Sequence, residues 1–151
     1  MEFSPQQIAS GAQSPAKQLT RILVIDDDAC VGAAIKSLLL RRRCDTVIAS
    51  RALAGIHALQ QSIFDVVMID IFMPGLNGLH TIEHVRSGSS IPIIAMSGFR
   101  LRNAAGSVDY LAMAARRGAT LCMRKPFTPT QLIEAVEWSR GLIAPIERSM
   151  H

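Results

Sequence analysis

Val66-Val67-Met68-Ile69-Asp70-Ile71-Phe72-Met73-Pro74-Gly75-Leu76-Asn77-Gly78 is the stretch that decides the fold. It opens as an unbroken apolar run with β-branched members, the pattern of a strand covered on both faces. The run breaks at one carboxylate, and Pro, Gly and Asn-Gly turn signals follow. In open α/β sheets ligands bind just beyond the carboxyl ends of the strands. Asp70 is therefore presented at a binding edge, and the question becomes what else in the chain arrives there.

Outward from this strand the same pattern repeats. Arg21 to Ile25 is a short buried-strand pattern running into Asp26-Asp27-Asp28, three carboxylates that repel one another unless a cation sits among them. From Ala29 to Leu40, Val31, Ala34, Ile35, Leu38 and Leu39 recur at helical spacing behind Asp28 as N-cap, and Arg41 to Arg43 close the helix with charge that suits its dipole. Cys44 to Ile48 is a second strand, and Arg51 to Gln61 a helix with Leu53, Ile56 and Leu59 on one side. Beyond Asp70, Leu76 to Arg86 reads as a helix with Leu79, Ile82 and Val85 inward. Ile91 to Met96 is a fourth strand that delivers Ser97-Gly98. A polar segment from Arg100 to Ser107 precedes a helix from Val108 to Arg117, then a fifth strand, Ala119 to Met123, and Arg124-Lys125-Pro126-Phe127. Thr128 caps a last amphipathic helix carrying Leu132, Ile133, Val136 and Trp138. Five βα units in a row call for an α/β fold, a doubly wound parallel sheet with right-handed crossovers and helices on both faces.

The chemistry-bearing residues fall at one place in each unit. Asp26, Asp27 and Asp28 follow the first strand, Asp70 the third, Ser97 the fourth and Lys125 the fifth, so all converge on one sheet edge. Carboxylates with one hydroxyl and one ammonium suit a hard divalent cation, which takes oxygen ligands, together with a phosphoryl group. The positive charges neutralise a phosphate that the acidic cluster would otherwise repel.

Composition bounds the alternatives. The 151 residues are 49% hydrophobic, enough for one domain to bury a core unaided. A net charge of +4 is spread over scattered arginines rather than one basic run. Cys30, Cys44 and Cys122 form no CxxC pair and no Cys/His cluster, so neither a disulfide framework nor a zinc site is suggested, and a reducing cytoplasm fits. No apolar run reaches the roughly 20 residues of a membrane helix. The first twenty residues, rich in Ser, Gln, Pro and Ala, read as a flexible leader without a secretory core.

Taken together, "ILVIDDD", "VVMIDIFMPGLNG", "IIAMSG" and "RKPFT" resemble the receiver domains of two-component response regulators, of the CheY-like type, in their order and nearly at their spacing. The resemblance covers roughly Arg21 to Gly141. It implies the flavodoxin-like strand order 2-1-3-4-5, with a leader over 1–20, the receiver over 21–143 and a tail over 144–151. It further implies that Asp26 and Asp27 hold Mg2+ with Asp70 and the Phe72 main-chain carbonyl, and that Asp70 accepts phosphate from a histidine kinase or phosphotransfer protein. Ser97, Gly98 and Lys125 then surround the phosphoryl group, with Lys125-Pro126 cis. Such a protein is a phosphoacceptor signalling module rather than an enzyme. It docks to a downstream protein, passes phosphate onward or forms part of something longer, as a monomer or a phosphorylation-linked dimer. No nucleic-acid reader follows the last helix, and no membrane is involved.

Three departures from the family pattern stand out. Cys122 occupies the position where the family carries a switching aromatic residue. The segment from Ser97 to Lys125 is several residues longer than usual, with Arg100, Arg102 and Asn103 in the excess. Phe72 and Phe99 put rings near the expected phosphate, where they would restrict attacking water.

Rival readings remain. Asp26 could be the nucleophile of a haloacid-dehalogenase-like phosphohydrolase, though this leaves Asp70 without a role. The chain could also be a receiver-shaped interaction module that never takes phosphate. His80-Thr81-Ile82-Glu83-His84 spells a metalloprotease pattern, but its histidines fall on the side away from Leu79, Ile82 and Val85, as on a solvated helix face.

Overall fold

The computed structural model describes residues 18–75, 77–98 and 109–141. Ten elements alternate along the chain: β1 (Thr20–Ile25), α1 (Ala29–Leu40), β2 (Cys44–Ala49), α2 (Ala52–Gln61), β3 (Val66–Asp70), α3 (Gly78–Gly88), β4 (Ile93–Ser97), α4 (Tyr110–Arg117), β5 (Leu121–Arg124) and α5 (Pro129–Ser139). The strands form one parallel sheet in the order β2-β1-β3-β4-β5. This is the doubly wound, flavodoxin-like arrangement expected from the sequence.

Alternation within each strand divides the core in two. Ile22, Val24, Val66, Met68, Ile94 and Met96 pack against Ile35 and Leu39 of α1 and Leu132, Ala135 and Val136 of α5. Leu23, Ile25, Val67, Ile69, Ile93 and Ala95 face Ala52 of α2, Leu79, Ile82 and Val85 of α3, and Ala114 of α4. A strand buried on both faces is thus apolar at every position, as Val66 to Ile69 are.

Boundaries shift where local hydrogen bonding overrules the apolar pattern. β4 begins at Ile93 rather than Ile91, because Pro92 has no N–H to donate, although its carbonyl accepts from Val67 N at 3.0 Å. β5 begins later than Ala119, whose N–H still closes α4 by donating to Ala114 O at 3.0 Å. α3 begins at Gly78 because the Asn77 side chain caps it, accepting from His80 N at 3.0 Å. Asp28 caps α1 as expected, accepting from Cys30 N at 2.9 Å and Val31 N at 3.3 Å. Thr128 and Gln131 form a capping box on α5.

Two apolar residues lie elsewhere than their spacing suggested. Leu53 is 72% exposed, and the buried stripe of α2 runs through Ala52 and Gly55 with Ile56 and Leu59 half-buried beside them. The cause is close approach: a Cβ at Gly55 would fall on the Ile25 side chain, so α2 rests on β1 by its glycine face and turns Leu53 outward. Ala34 is likewise exposed, and α1 buries Gly32, Ile35 and Leu39 instead.

Candidate functional site

Sheet register brings the acidic residues together. Ile25 and Ile69 are Cα partners, so Asp26 and Asp70 occupy the next rung of two adjacent strands. On the other side Asp70 is paired with Met96, and Ser97 with Arg124, which places Ser97 one step and Lys125 two steps further out. Main-chain bonds fix the rim: Ile71 N donates to Met96 O at 2.8 Å and Lys125 N to Ser97 O at 2.8 Å.

Among the described residues, Asp26, Asp27 and Asp70 form a group able to hold a metal ion, each offering a carboxylate oxygen, all within 4.8 Å of one another. Asp26 is 1% exposed and Asp70 5%, whereas Asp27 is open to solvent. Asp26 Oδ1 accepts from Asp28 N at 2.9 Å, and Asp70 Oδ1 accepts from Phe72 N at 3.1 Å. Lys125 Nζ bridges the two strands, 2.6 Å from Asp26 Oδ2 and 3.3 Å from Asp70 Oδ2. A compact set of hard oxygen donors, two of them nearly dry, fits Mg2+ by donor chemistry.

Burial dominates the electrostatics. It pushes the Asp70 carboxyl up from 3.8 to about 6; the Lys125 charge works against this rise and the Asp26 carboxylate adds to it. Burial alone would lower the Lys125 ammonium. The hydrogen bond and charge of Asp26, together with the charge of Asp70, outweigh it and hold the group above the ordinary lysine range. Asp70 is thus a carboxylate of raised basicity beside a firmly cationic lysine.

The other expected residues gather at the same rim. Ser97 is half-buried, and its hydroxyl makes a long 3.4 Å contact to Gly98 O. Among the described residues nothing lies within 4 Å of where a Gly98 side chain would begin, which leaves room for a group as large as phosphoryl. The Lys125-Pro126 bond is cis. Cys122 is half-buried on β5, its Sγ–H donating to Leu111 O of α4 at 3.4 Å, and burial first, then the Asp109 carboxylate, pushes its thiol pKa up. Phe99 and the excess residues Arg100, Arg102 and Asn103 lie outside the described residues.

Sequence reasoning missed the structural parts played by Gly78 and Tyr110 at the rim and by Arg86 at the opposite end of the sheet. A Cβ at Gly78 would fall on the Asp70 carbonyl oxygen and Ile71 Cα, so only glycine lets α3 start directly beneath the Asp70 peptide, where Gly78 N donates to Ile71 O at 2.9 Å. The Asn-Gly pair signals a turn but not this approach. The Phe72 ring meets Tyr110, the first residue of α4, edge to face at 4.9 Å and 80°. Arg86 donates to Gly118 O at 2.9 and 2.7 Å and to Ile91 O at 2.9 Å, tying α3 to the α4–β5 turn. No local pattern announces either long-range contact.

Residues 22–137 match the sequence model of the response regulator receiver domain. The chain belongs to that family. As a receiver it is 27% identical over 119 residues to the transcriptional regulatory protein CpxR homolog of Haemophilus influenzae, a match covering 79% of this chain and 49% of that protein. The DNA-binding response regulator MtrA of Mycobacterium tuberculosis is 28% identical over 116 residues, covering 77% of this chain and 48% of the relative. The receiver spans about half the length of these curated relatives. Among solved structures, the response regulator receiver domain protein from Clostridium thermocellum superposes with a TM-score of 0.72 at 28% identity, over 82% of this chain and 95% of that one. The CheY-like receiver from Methanospirillum hungatei has the same fold, with a TM-score of 0.73 at 23% identity over 82% and 95%.

The family match is to receivers, which are not classical enzymes, and it lends the phosphohydrolase reading no support. The protease pattern also dissolves: His80 and His84 are exposed on α3, and Glu83 pairs with Arg117 at 3.0 Å. No helix among the described residues is long and apolar enough to cross a membrane.

Proposed function

We propose that Asp70 accepts a phosphoryl group from a histidine kinase or phosphotransfer protein, with Mg2+ held by Asp26, Asp27, Asp70 and the Phe72 main-chain carbonyl. The observation that carries this reading is the position of Asp70: a nearly dry carboxylate within 4.8 Å of ligand atoms on Asp26 and Asp27 and 3.3 Å from the Lys125 ammonium. A carboxylate oxygen of Asp70 forms the new P–O bond as the P–N bond of the donor's phosphohistidine breaks, and the imidazole nitrogen leaves with the electron pair; with acetyl phosphate as donor, a P–O bond breaks and acetate leaves. When bound, Mg2+ supplies charge neutralisation to the oxygens of the transferring group.

The chain's own residues do the rest. Lys125 donates to a phosphoryl oxygen, Ser97 offers its hydroxyl to another, and Gly98 leaves the space. Phe72 N–H holds the Asp70 carboxylate by one oxygen, which fixes its direction of attack. The product adds about 1.5 to 2 negative charges at the rim, and Ser97 and Lys125 are drawn toward them. A receiver unit over 21–143, a cytoplasmic location, a downstream protein target, and a monomer or phosphorylation-linked dimer complete the reading. Incubation with Mg2+ and acetyl phosphate, followed by intact mass, tests it: one phosphoryl group on the parent and none on Asp70→Asn.

A further inference from the structure

We propose that the edge of the sheet opposite Asp70 is a docking surface for an anionic membrane, met peripherally. The proposal goes beyond the reading of Asp70 as phosphoacceptor and does not depend on it.

Three strands begin side by side at this edge, and exposed apolar and basic residues stand at each start. Leu40 ends α1 and is 70% exposed, and Arg41, Arg42 and Arg43, all exposed, lead from it into β2. Thr20 N donates to Arg43 O at 3.3 Å, so Leu19, 50% exposed, stands beside that run at the foot of β1. Arg21 Nη1 donates to Ile63 O at 3.2 Å, which brings Ile63, 87% exposed, alongside at the approach to β3. Three of the five large apolar side chains exposed among the described residues thus share one edge, where scattered single ones would need no explanation. Beyond Ile63 the apolar surface continues into a recess of about 390 Å3 lined by Leu59, Phe64 and Ile91.

The charge on the edge is basic. Arg140, exposed at the end of α5, reaches the same neighbourhood: burial pushes the Cys44 thiol pKa up, and the Arg140 charge opposes this. Asp45 and Asp65 both meet Arg21, through its guanidinium at 3.2 Å and its main-chain N–H at 2.7 Å, and Glu137 is half-buried, so four arginines set the outward charge. Arg43 is held at φ 59°, in the left-handed region where glycine or asparagine is the ordinary choice. An arginine there carries a backbone cost that glycine would spare, offset by what its side chain does.

Together these features select the partner. Nucleic-acid phosphates would engage the arginines and leave Leu19, Leu40 and Ile63 in water, and a folded protein would have to match three separate apolar tips. A bilayer takes such tips one by one into its interfacial region while its anionic headgroups meet the guanidinium groups. This replaces the sequence expectation that no membrane is involved, since a peripheral contact needs no spanning helix. The six residues of β1 separate this edge from the Asp70 edge by about 20 Å, so the acceptor stays open while the opposite edge is docked.

Cosedimentation of the full chain with vesicles tests the assignment. The chain binds vesicles of equimolar phosphatidylcholine and phosphatidylglycerol, not vesicles of phosphatidylcholine alone, and releases them as salt is raised. Each arginine near an anionic surface strengthens partition by about fivefold, so the double variant Arg41→Gln, Arg42→Gln binds about twentyfold or more weakly. Leu40→Ser, with the charge unchanged, binds severalfold more weakly. Arg51→Gln, exposed at the opposite edge, binds like the parent. Absence of binding to the anionic vesicles, equal binding to the neutral ones, or a Leu40→Ser variant that binds like the parent overturns the proposal. So does tighter binding to a DNA duplex than to the anionic vesicles, which assigns the arginines to phosphodiesters instead.

Discussion

Lys125 Nζ lies 2.6 Å from Asp26 Oδ2, closer than its 3.3 Å to Asp70 Oδ2. The lysine is thus bound most tightly to a carboxylate that the functional reading assigns to the metal, and it reaches the phosphoacceptor more loosely. One ammonium stabilises two buried carboxylates that would otherwise repel.

Replacing that ammonium separates its two effects. Lys125→Met leaves Asp26 and Asp70 buried and unpaired, which costs about 3 kcal/mol of stability in chelator. Removing a positive charge so close to the acidic group raises Mg2+ affinity by about tenfold. Phosphate uptake moves the other way and slows by about a hundredfold, because a preorganised donor to the phosphoryl oxygens is gone. Urea titration, Mg2+ titration and the rate of mass gain check the three signs.

Asp70 makes stability fall with rising pH when Mg2+ is chelated. Its carboxyl sits at about 6 in the fold against 3.8 ordinarily, chiefly through burial, so between those values the folded state holds more proton than the unfolded chain. Its contribution is therefore most favourable below about pH 4 and is lost as pH rises through about 6, a total on the order of 3 kcal/mol. Asp70→Asn removes this slope and is the more stable protein at pH 7. Urea midpoints of both proteins in chelator between pH 4 and 8 measure the difference.

Gly78 holds the acceptor in place by having no side chain. Gly78→Ala drives a methyl into the Asp70 carbonyl and Ile71 Cα, and costs about 2 kcal/mol or more. Uptake of phosphate slows as well, since a shift of Asp70 by an ångström is worth about a hundredfold. Gly88→Ala, at the other end of the same helix with nothing within 4 Å, is the matched control and stabilises by about 0.5 kcal/mol. Denaturation curves and uptake rates on both variants make the comparison.

On the proposal that Asp70 takes phosphate, the Phe72 ring is expected to limit access of water to it. Phe72→Asn loses phosphate severalfold faster than the parent once donor is removed, as followed by intact mass over time. An unchanged decay contradicts this role.

These expectations rest on features of unequal legibility. The strands were open to reading because burial on both faces forces every position from Val66 to Ile69 to be apolar, and the Asp28 and Thr128 caps because capping chemistry is local. Convergence of Asp26, Asp70, Ser97 and Lys125 followed from topology alone, since every parallel strand ends at one edge. What escaped is what depends on distance. Leu53 turns outward because Gly55, two residues on and so on the opposite face of α2, rests against Ile25. The partnership of Phe72 with Tyr110 and the grip of Arg86 on Gly118 join residues remote in sequence, with no periodicity to mark them.

The most direct measurement locates the acyl phosphate. The protein is incubated with Mg2+ and acetyl phosphate, digested at low temperature and mapped by mass. Phosphate on Asp70 alone, absent without Mg2+, is the predicted result. Phosphate on Asp26, or none on a folded protein that has bound Mg2+, contradicts the account.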